Sequence, residues 1–171
     1  MLYGFVSDVH GNLEALTAVL ADMQRLEVQR LVFLGYAVGY EPDPNAVCDI
    51  LRSQSQAAVL GNHDAAVTDR MSMTHYHEAA RLSLLWCKEQ LSSENMLWLK
   101  ERPYTIHEPG MLLCHSFPQY PTSFEYMTRP DQIYRMQEEQ AIMAPLHFLG
   151  HSHLPIAFCL KDNQVSRCED D

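Results

Sequence analysis

The chain has no CxxC pair, no apolar run near the length of a membrane span, and only 12 Lys and Arg against 22 Asp and Glu. Each shortage excludes something. A helix needs roughly 20 apolar residues to cross a bilayer, so a membrane-spanning protein is not expected. The formal net charge of −10 argues against nucleic-acid backbones and anionic membranes as general partners. Carboxylates that hold cations can nevertheless admit a phosphate. Cys48, Cys87, Cys114, Cys159 and Cys168 make an odd count. They read as buried thiols of a reducing compartment rather than a disulfide framework. The start "MLYGFVSD" is already strand-like and has no basic n-region, so no signal peptide is read and a cytoplasmic location is expected.

Repeats, low-complexity tracts and Gly/Ser linkers are also missing, so residues 1–171 read as a single domain. Its first half alternates strand and helix. Strand 2–7 leads into a helix from Asn12, with Leu13, Leu16, Leu20 and Met23 at helical spacing. Asn12 suits the N-cap and Glu14 the first turn. Strand 30–34 precedes a helix over 44–53 with Pro44 at its start, then strand 56–60. A helical stretch over 76–101 carries Leu82, Leu85, Trp86, Trp98 and Leu99 as core candidates. Beyond Pro103 come short strands at 104–107, 111–115, 146–149, 155–160 and 164–168, with a helix over 130–140 between them. The acidic tail is expected to be solvated. This order predicts an α/β (α+β) domain.

Strand ends collect the unusual side chains. "SDVHGN" places Asp8 and His10 two apart, on one side if the strand persists. "LGNHDA" offers Asn62, His63 and Asp64; "LLCHS" ends on His115; "FLGHSHLP" gives His151 and His153. A single histidine at a strand end is usually a satisfied polar residue. Four such clusters, each after an apolar strand, are not coincidence. Ligands of open α/β sheets gather beyond the carboxyl ends of strands. The mixed oxygen and imidazole donors suit manganese, iron, zinc, nickel or cobalt, and the missing cysteine ligand argues against structural zinc.

The order DxH, glycine loop, GNHD, lone His, GHSH resembles the calcineurin-like metallophosphoesterases over nearly the whole chain. The loop "GYAVGYEPDPN" is similar to the small bacterial branch of phosphoprotein-phosphatase-like and dinucleoside-polyphosphate-hydrolase-like members. The resemblance implies a four-layer αββα sandwich of two mixed β-sheets flanked by helices. It also implies two divalent or trivalent metal ions, with manganese the first choice. By position, Asp8, His10 and His153 would hold the first metal, and Asn62, His115 and His151 the second. His63 would meet the phosphate or protonate the leaving group, and Asp64 would orient His63 by a hydrogen bond. Two cations about 3.5–4 Å apart clamp a phosphate and acidify a bridging water. The substrate would be a small-molecule or protein phosphoester: a monoester, a diester or a dinucleoside polyphosphate.

Two features depart from the family. Its second loop usually reads Gly-Asp, the aspartate bridging both metals, whereas this chain has Gly35-Tyr36. Tyr36 could ligate a metal as phenolate, or fill the pocket and leave one metal or none. Alternatively, Glu41 or Asp43 could take over the bridge. The family's strands also usually continue beyond GHSH, so the C-terminal strands read as short or truncated. In "HSFPQYPTSFEYMTRP", Phe117, Tyr120, Phe124 and Tyr126 could stack on a base or aryl group, or pack the loop; Arg129 could meet a second phosphate. The alternative to an enzyme is a catalytically inactive scaffold or binding protein on the same fold.

Overall fold

Three βα units open the chain: β1 (Tyr3–Val6), α1 (Leu13–Arg25), β2 (Arg30–Phe33), α2 (Pro44–Gln54), β3 (Ser55–Ala58) and α3 (Asn62–Val67). The computed structural model describes residues 1–139 and 144–168. The acidic tail beyond 168 and the last residue of the helix expected over 130–140 lie outside these. Asn12 accepts from the Ala15 N–H at 2.8 Å and so starts α1. Pro44, whose missing N–H costs nothing in a first turn, starts α2. Because α1 and α2 return the chain to the same sheet end, β1, β2 and β3 pair in parallel in that order. The β2–β3 register slips between Leu31 and Val32. The Gln56 side chain accepts the Leu31 N–H there, at 2.6 Å.

Two helices follow where one long helical stretch is expected: α4 (Glu78–Gln90) and α5 (Ser93–Lys100). Leu91 turns extended, and the Ser92 side chain caps the new helix by accepting from Asn95 N–H at 3.1 Å. The second sheet runs β4 (Thr105–Glu108), β5 (Met111–Cys114) and β6 (Leu146–Phe148). Its first pair is antiparallel around Gly110 and its second parallel. Helix α6 (Pro130–Glu138) lies between β5 and β6 in sequence. A separate hairpin, β7 (Phe158–Lys161) and β8 (Gln164–Arg167), closes on Asp162-Asn163. Both turn residues have positive φ, as a two-residue hairpin loop of this twist requires.

One face of the first sheet meets the helices. Val6, Phe33 and Ala58 pack with Leu16 of α1, Leu51 of α2, Leu84 of α4 and Leu99 of α5. Its other face meets the second sheet through Val32, Leu34, Ala57, Val59 and Leu113, with Phe5 stacked on Phe148 at 4.0 Å. Leu112 and Cys114 point the other way along β5 and are fully buried, so the second sheet is covered on both faces. Met136 of α6 packs there on Phe117. The layers run helix, sheet, sheet, helix. The first sheet is wholly parallel and only the second is mixed among the described residues.

Some core and thiol assignments change. Leu82, Leu85 and Trp86 lie on the outer face of α4, and its buried face is Ala80, Leu84 and Cys87. Cys48, Cys87 and Cys114 are buried, but Cys159 and Cys168 on the hairpin are exposed.

Candidate metal centre

The carboxyl ends of β1, β2, β3, β5 and β6 release their chain into one cluster of loops, stitched together by backbone. Asp8 N–H donates to Gly35 O at 2.9 Å, His10 N–H to Tyr36 O at 2.9 Å, and Gly150 N–H to His115 O at 3.1 Å. Gly35 has φ +99°, and a Cβ there would lie 2.7 Å from Gly61 N, so only glycine lets the second and third loops touch. Asp8, His10, Tyr36, His151 and His153 all take positive φ, between 54° and 69°. Aspartate and histidine tolerate this region; for tyrosine it is strained.

Asp8, His10 and His153 each offer a donor atom, and the three atoms lie within 4.8 Å of one another. His153 Nε2 is 3.2 Å from Asp8 Oδ1 and 3.2 Å from His10 Nε2. Metal–ligand bonds of ~2.1 Å set adjacent donors ~3.0–3.4 Å apart. The first set therefore fits a metal ion. The His151 N–H donates to the Asp8 carboxylate at 3.1 Å, holding that ligand in place.

The second set is arranged differently. Asn62 Oδ1 and His115 Nε2 are buried with no hydrogen-bond partner, as orphaned ligands would be. His115 Nδ1 donates to Leu34 O at 2.5 Å, which leaves Nε2 as an acceptor. His151, however, is engaged on both ring nitrogens. Its Nε2–H donates to Phe124 O at 2.8 Å, and its Nδ1 accepts from the Tyr36 hydroxyl at 2.9 Å. The Tyr36 ring, 4% exposed, lies 4.2 Å from the His115 ring, 4.3 Å from His63 and 4.5 Å from His10, between centroids. Burial pushes its phenol up, away from phenolate. Glu41 is exposed, and neither it nor Asp43 joins the ligand cluster among the described residues.

His63 and Asp64 sit on the short α3, both buried. Asp64 does not bond His63. Its carboxylate accepts from the N–H groups of Tyr36 at 2.8 Å, Ala37 at 2.9 Å, Gly61 at 3.1 Å and Val38 at 3.4 Å. Adjacent helical residues point about 100° apart, so Asp64 faces the second loop while His63 faces the cavity. What orients His63 is the Val38 carbonyl, which accepts from Nδ1–H at 3.3 Å and leaves Nε2 with its lone pair. Asp64 acts through the loop that carries that carbonyl.

A cavity of about 290 Å³ opens over the cluster, lined by His10, Tyr36, Tyr40, His63, Tyr126, His151, Ser152 and His153. Tyr126 stacks on His151 at 4.2 Å and 6°. Tyr40, and Tyr76 bonded to Asn62 Nδ2 at 2.8 Å, had no signal in sequence beyond being aromatic. Phe117 and Phe124 are buried as packing, and Tyr120 stacks on Phe117. Arg129 does not line the cavity; it is exposed and pairs with Asp131 at 3.0 Å.

Burial dominates the site's titration. It lowers His63 to about 3 and His10 to about 4, and raises Asp64 to about 6 despite its four N–H donors. The unfolded chain protonates these imidazoles near 6.5, so their stabilisation is full above that pH and is lost on acidification toward 4 and 3. Asp64 runs oppositely, favouring the fold below its ordinary 3.8 and losing that as pH rises through 6. Between pH 7 and 5, His63 alone loses about 2 kcal/mol, His10 adds to this, and Asp64 returns about 1 kcal/mol. Metal-stripped protein should therefore melt ~4–8 °C lower at pH 5 than at pH 7. A Tm that holds or rises in circular dichroism would contradict the buried neutral imidazoles.

The family model described as the calcineurin-like phosphoesterase superfamily domain matches residues 1–168. An uncharacterised protein of Methanocaldococcus jannaschii is 32% identical over 154 residues, 88% of this chain and 61% of that protein. The chain thus spans about three fifths of that relative's length. The crystal structure of a metallophosphoesterase from Sphaerobacter thermophilus superposes with a TM-score of 0.78 at 31% identity, covering 98% of this chain and 69% of that one. A structure described as a candidate diadenosine tetraphosphatase superposes with a TM-score of 0.51 at 26% identity, covering 73% and 55%. Among the described residues no helix is long and apolar enough to cross a membrane.

Proposed function

The chain belongs to the calcineurin-like phosphoesterase superfamily, and on that premise we propose that it is a metal-dependent hydrolase of small-molecule phosphoesters. The observation that carries this reading is one juxtaposition. The donor atoms of Asp8, His10 and His153 converge at a cavity whose wall includes the buried His63. A divalent ion there, manganese first, would supply Lewis acidity that offsets phosphate charge and acidifies a water.

The chain's own residues do the rest. His10, kept neutral by burial, keeps a lone pair for ligation at neutral pH. His63 presents Nε2 because Val38 holds its other nitrogen. Burial by itself keeps it neutral; a phosphate beside it favours the imidazolium. His63 then has a proton to give to the departing oxygen.

The cavity also limits the substrate. Among the described residues its lining holds tyrosines and histidines but no Lys or Arg. A polyphosphate would find no side-chain cation for its outer phosphates, whereas Tyr40 and Tyr126 offer faces to a planar group. A single-phosphate aryl or nucleoside ester is the substrate class proposed.

The test compares manganese-loaded protein on an aryl phosphate monoester, an aryl diester and a dinucleoside tetraphosphate. Aryl esters should turn over and the tetraphosphate should be slowest. Asp8→Asn should remove both bound metal and turnover. Turnover that survives this change would remove the metal from the reading. A second reading rests on Tyr36, which stands where the family's bridging carboxylate would be. If the native chain binds metal but hydrolyses nothing, a non-catalytic binding protein on this fold is the better description.

A further inference from the structure

The family's centre holds two metals, and this chain's residues fit only one of them. We propose that the Tyr36 ring closes the second metal site, so that this protein works as a single-metal centre at Asp8, His10 and His153. The inference rests on the metal-dependent reading above and concerns how many ions that site admits.

Three independent features support it. The first is space. The Tyr36 ring stacks within 4.2–4.5 Å of the rings of His115, His63 and His10, and is 4% exposed. Those separations are van der Waals packing between rings, with no gap for an ion and its bonds of ~2.1 Å. A Cβ built on Gly61 would lie 2.7 Å from Tyr36 Cδ1, so the third loop is pressed against the ring's edge as well.

The second is the state of the ligands left behind. Asn62 Oδ1 and His115 Nε2 are buried acceptors without partners, on the residues that position assigns to the second metal. Buried polar atoms are nearly always paired; these two acceptors keep the character of ligands, and the Tyr36 ring lies 4.2 Å from the His115 ring between centroids. The third assigned ligand, His151, has turned to other work. It accepts the Tyr36 hydroxyl and donates to Phe124 O, so the phenol has taken the nitrogen a metal would need.

The third is charge. The convergent donors include one carboxylate, Asp8. One dication there leaves the cluster near +1, while two would leave it near +3 in a buried pocket with no other anion in its lining among the described residues. The bridging carboxylate of the family both spans and neutralises the pair. A phenol has a single oxygen and cannot span two ions as a carboxylate does.

The backbone at this position is unusual for a tyrosine. Tyr36 stands at φ +67°, a region that Asp and Asn adopt far more readily than an aromatic residue.

Metal content per chain decides the question without reference to turnover. Protein loaded with excess manganese, then freed of loose ions, should hold one equivalent by elemental analysis. Its electron paramagnetic resonance should show an isolated ion, with no exchange coupling. His115→Ala should leave that equivalent in place, because His115 holds no metal in the native chain. Tyr36→Phe should also hold one, since the ring and not the hydroxyl excludes the second. Tyr36→Asp should hold two and show coupling, and Tyr36→Asp with His115→Ala should fall back to one. Two equivalents in the native chain, or loss of the one on His115→Ala, would overturn the closure and leave the metal-dependent reading standing. A single equivalent in a folded Tyr36→Asp would also overturn it, because something other than the ring would then exclude the second ion. No bound metal in the native chain would overturn the single-metal centre and the preceding reading together.

Discussion

Replacing Asp64 by alanine is expected to cost ~3–5 kcal/mol of folding stability, among the largest losses a substitution in this site can bring. The side chain is wholly buried, and its carboxylate is the acceptor for four backbone N–H groups, on Gly61, Tyr36, Ala37 and Val38. Alanine leaves all four without a partner, at about 1–3 kcal/mol for each buried orphan. The sum is not reached, because burial also penalises the carboxylate itself, as its rise to about 6 records. The expected Tm fall is ~10 °C at pH 7. Asp64→Asn keeps one acceptor oxygen but turns an amide N–H₂ toward N–H donors, and should fall between. Denaturant unfolding of the three proteins checks this. A loss below ~1 kcal/mol for alanine would mean that the Gly35–Val38 loop is held by something else. The loop carries Tyr36 and the carbonyl that aims His63, so the same change should also loosen the site.

The site was legible in sequence because its residues sit at strand ends, and apolar strands with polar tips are a local signal. Its geometry was not. Asp8 and His10 do meet on one side, but not by strand alternation: β1 ends at Val6, and both residues reach the site through left-handed backbone. At His151 and His153 the same spacing brings both residues to one cavity, where His153 joins Asp8 and His10 and His151 turns to Tyr36 and Phe124. Spacing identifies a candidate pair; the backbone path after the strand decides where each side chain goes. Long-range partners were similarly invisible. Asp64 is next to His63 in the chain, yet its bonds run to residues 36–38, and only the folded loops show this. Arg129 looked free to meet a phosphate until Asp131, two residues on, claimed it. In α4, helical spacing allowed two apolar stripes. The buried one uses Ala80, Leu84 and Cys87, whose small members allow close approach, and it leaves Leu82, Leu85 and Trp86 outside. Size complementarity with a neighbour chose between them, and a single helix's sequence does not contain that neighbour.

His63→Ala should reduce turnover of an alkyl phosphate ester by about 10²–10⁴-fold while leaving bound metal at its native level. The range is that of a positioned general acid, and the metal should stay because Asp8, His10 and His153 hold it without His63. The substrate series tells proton donation from simple phosphate binding. An alkoxide leaving group needs a proton in the transition state, so removing the donor should appear mainly in kcat. A nitrophenolate departs without one, and the same variant should lose far less on that ester. If His63 only gripped the phosphate, both esters would suffer alike and the loss would fall chiefly in KM. The pH profile adds a second separation. His63 is lowered to about 3 in the free protein, so it becomes an acid only when phosphate charge raises it. Native kcat on the alkyl ester should therefore fall on the alkaline side, and that limb should vanish in His63→Ala. An alkaline limb that survives the substitution would assign the titration to another group, and equal losses on both esters would return His63 to a binding role.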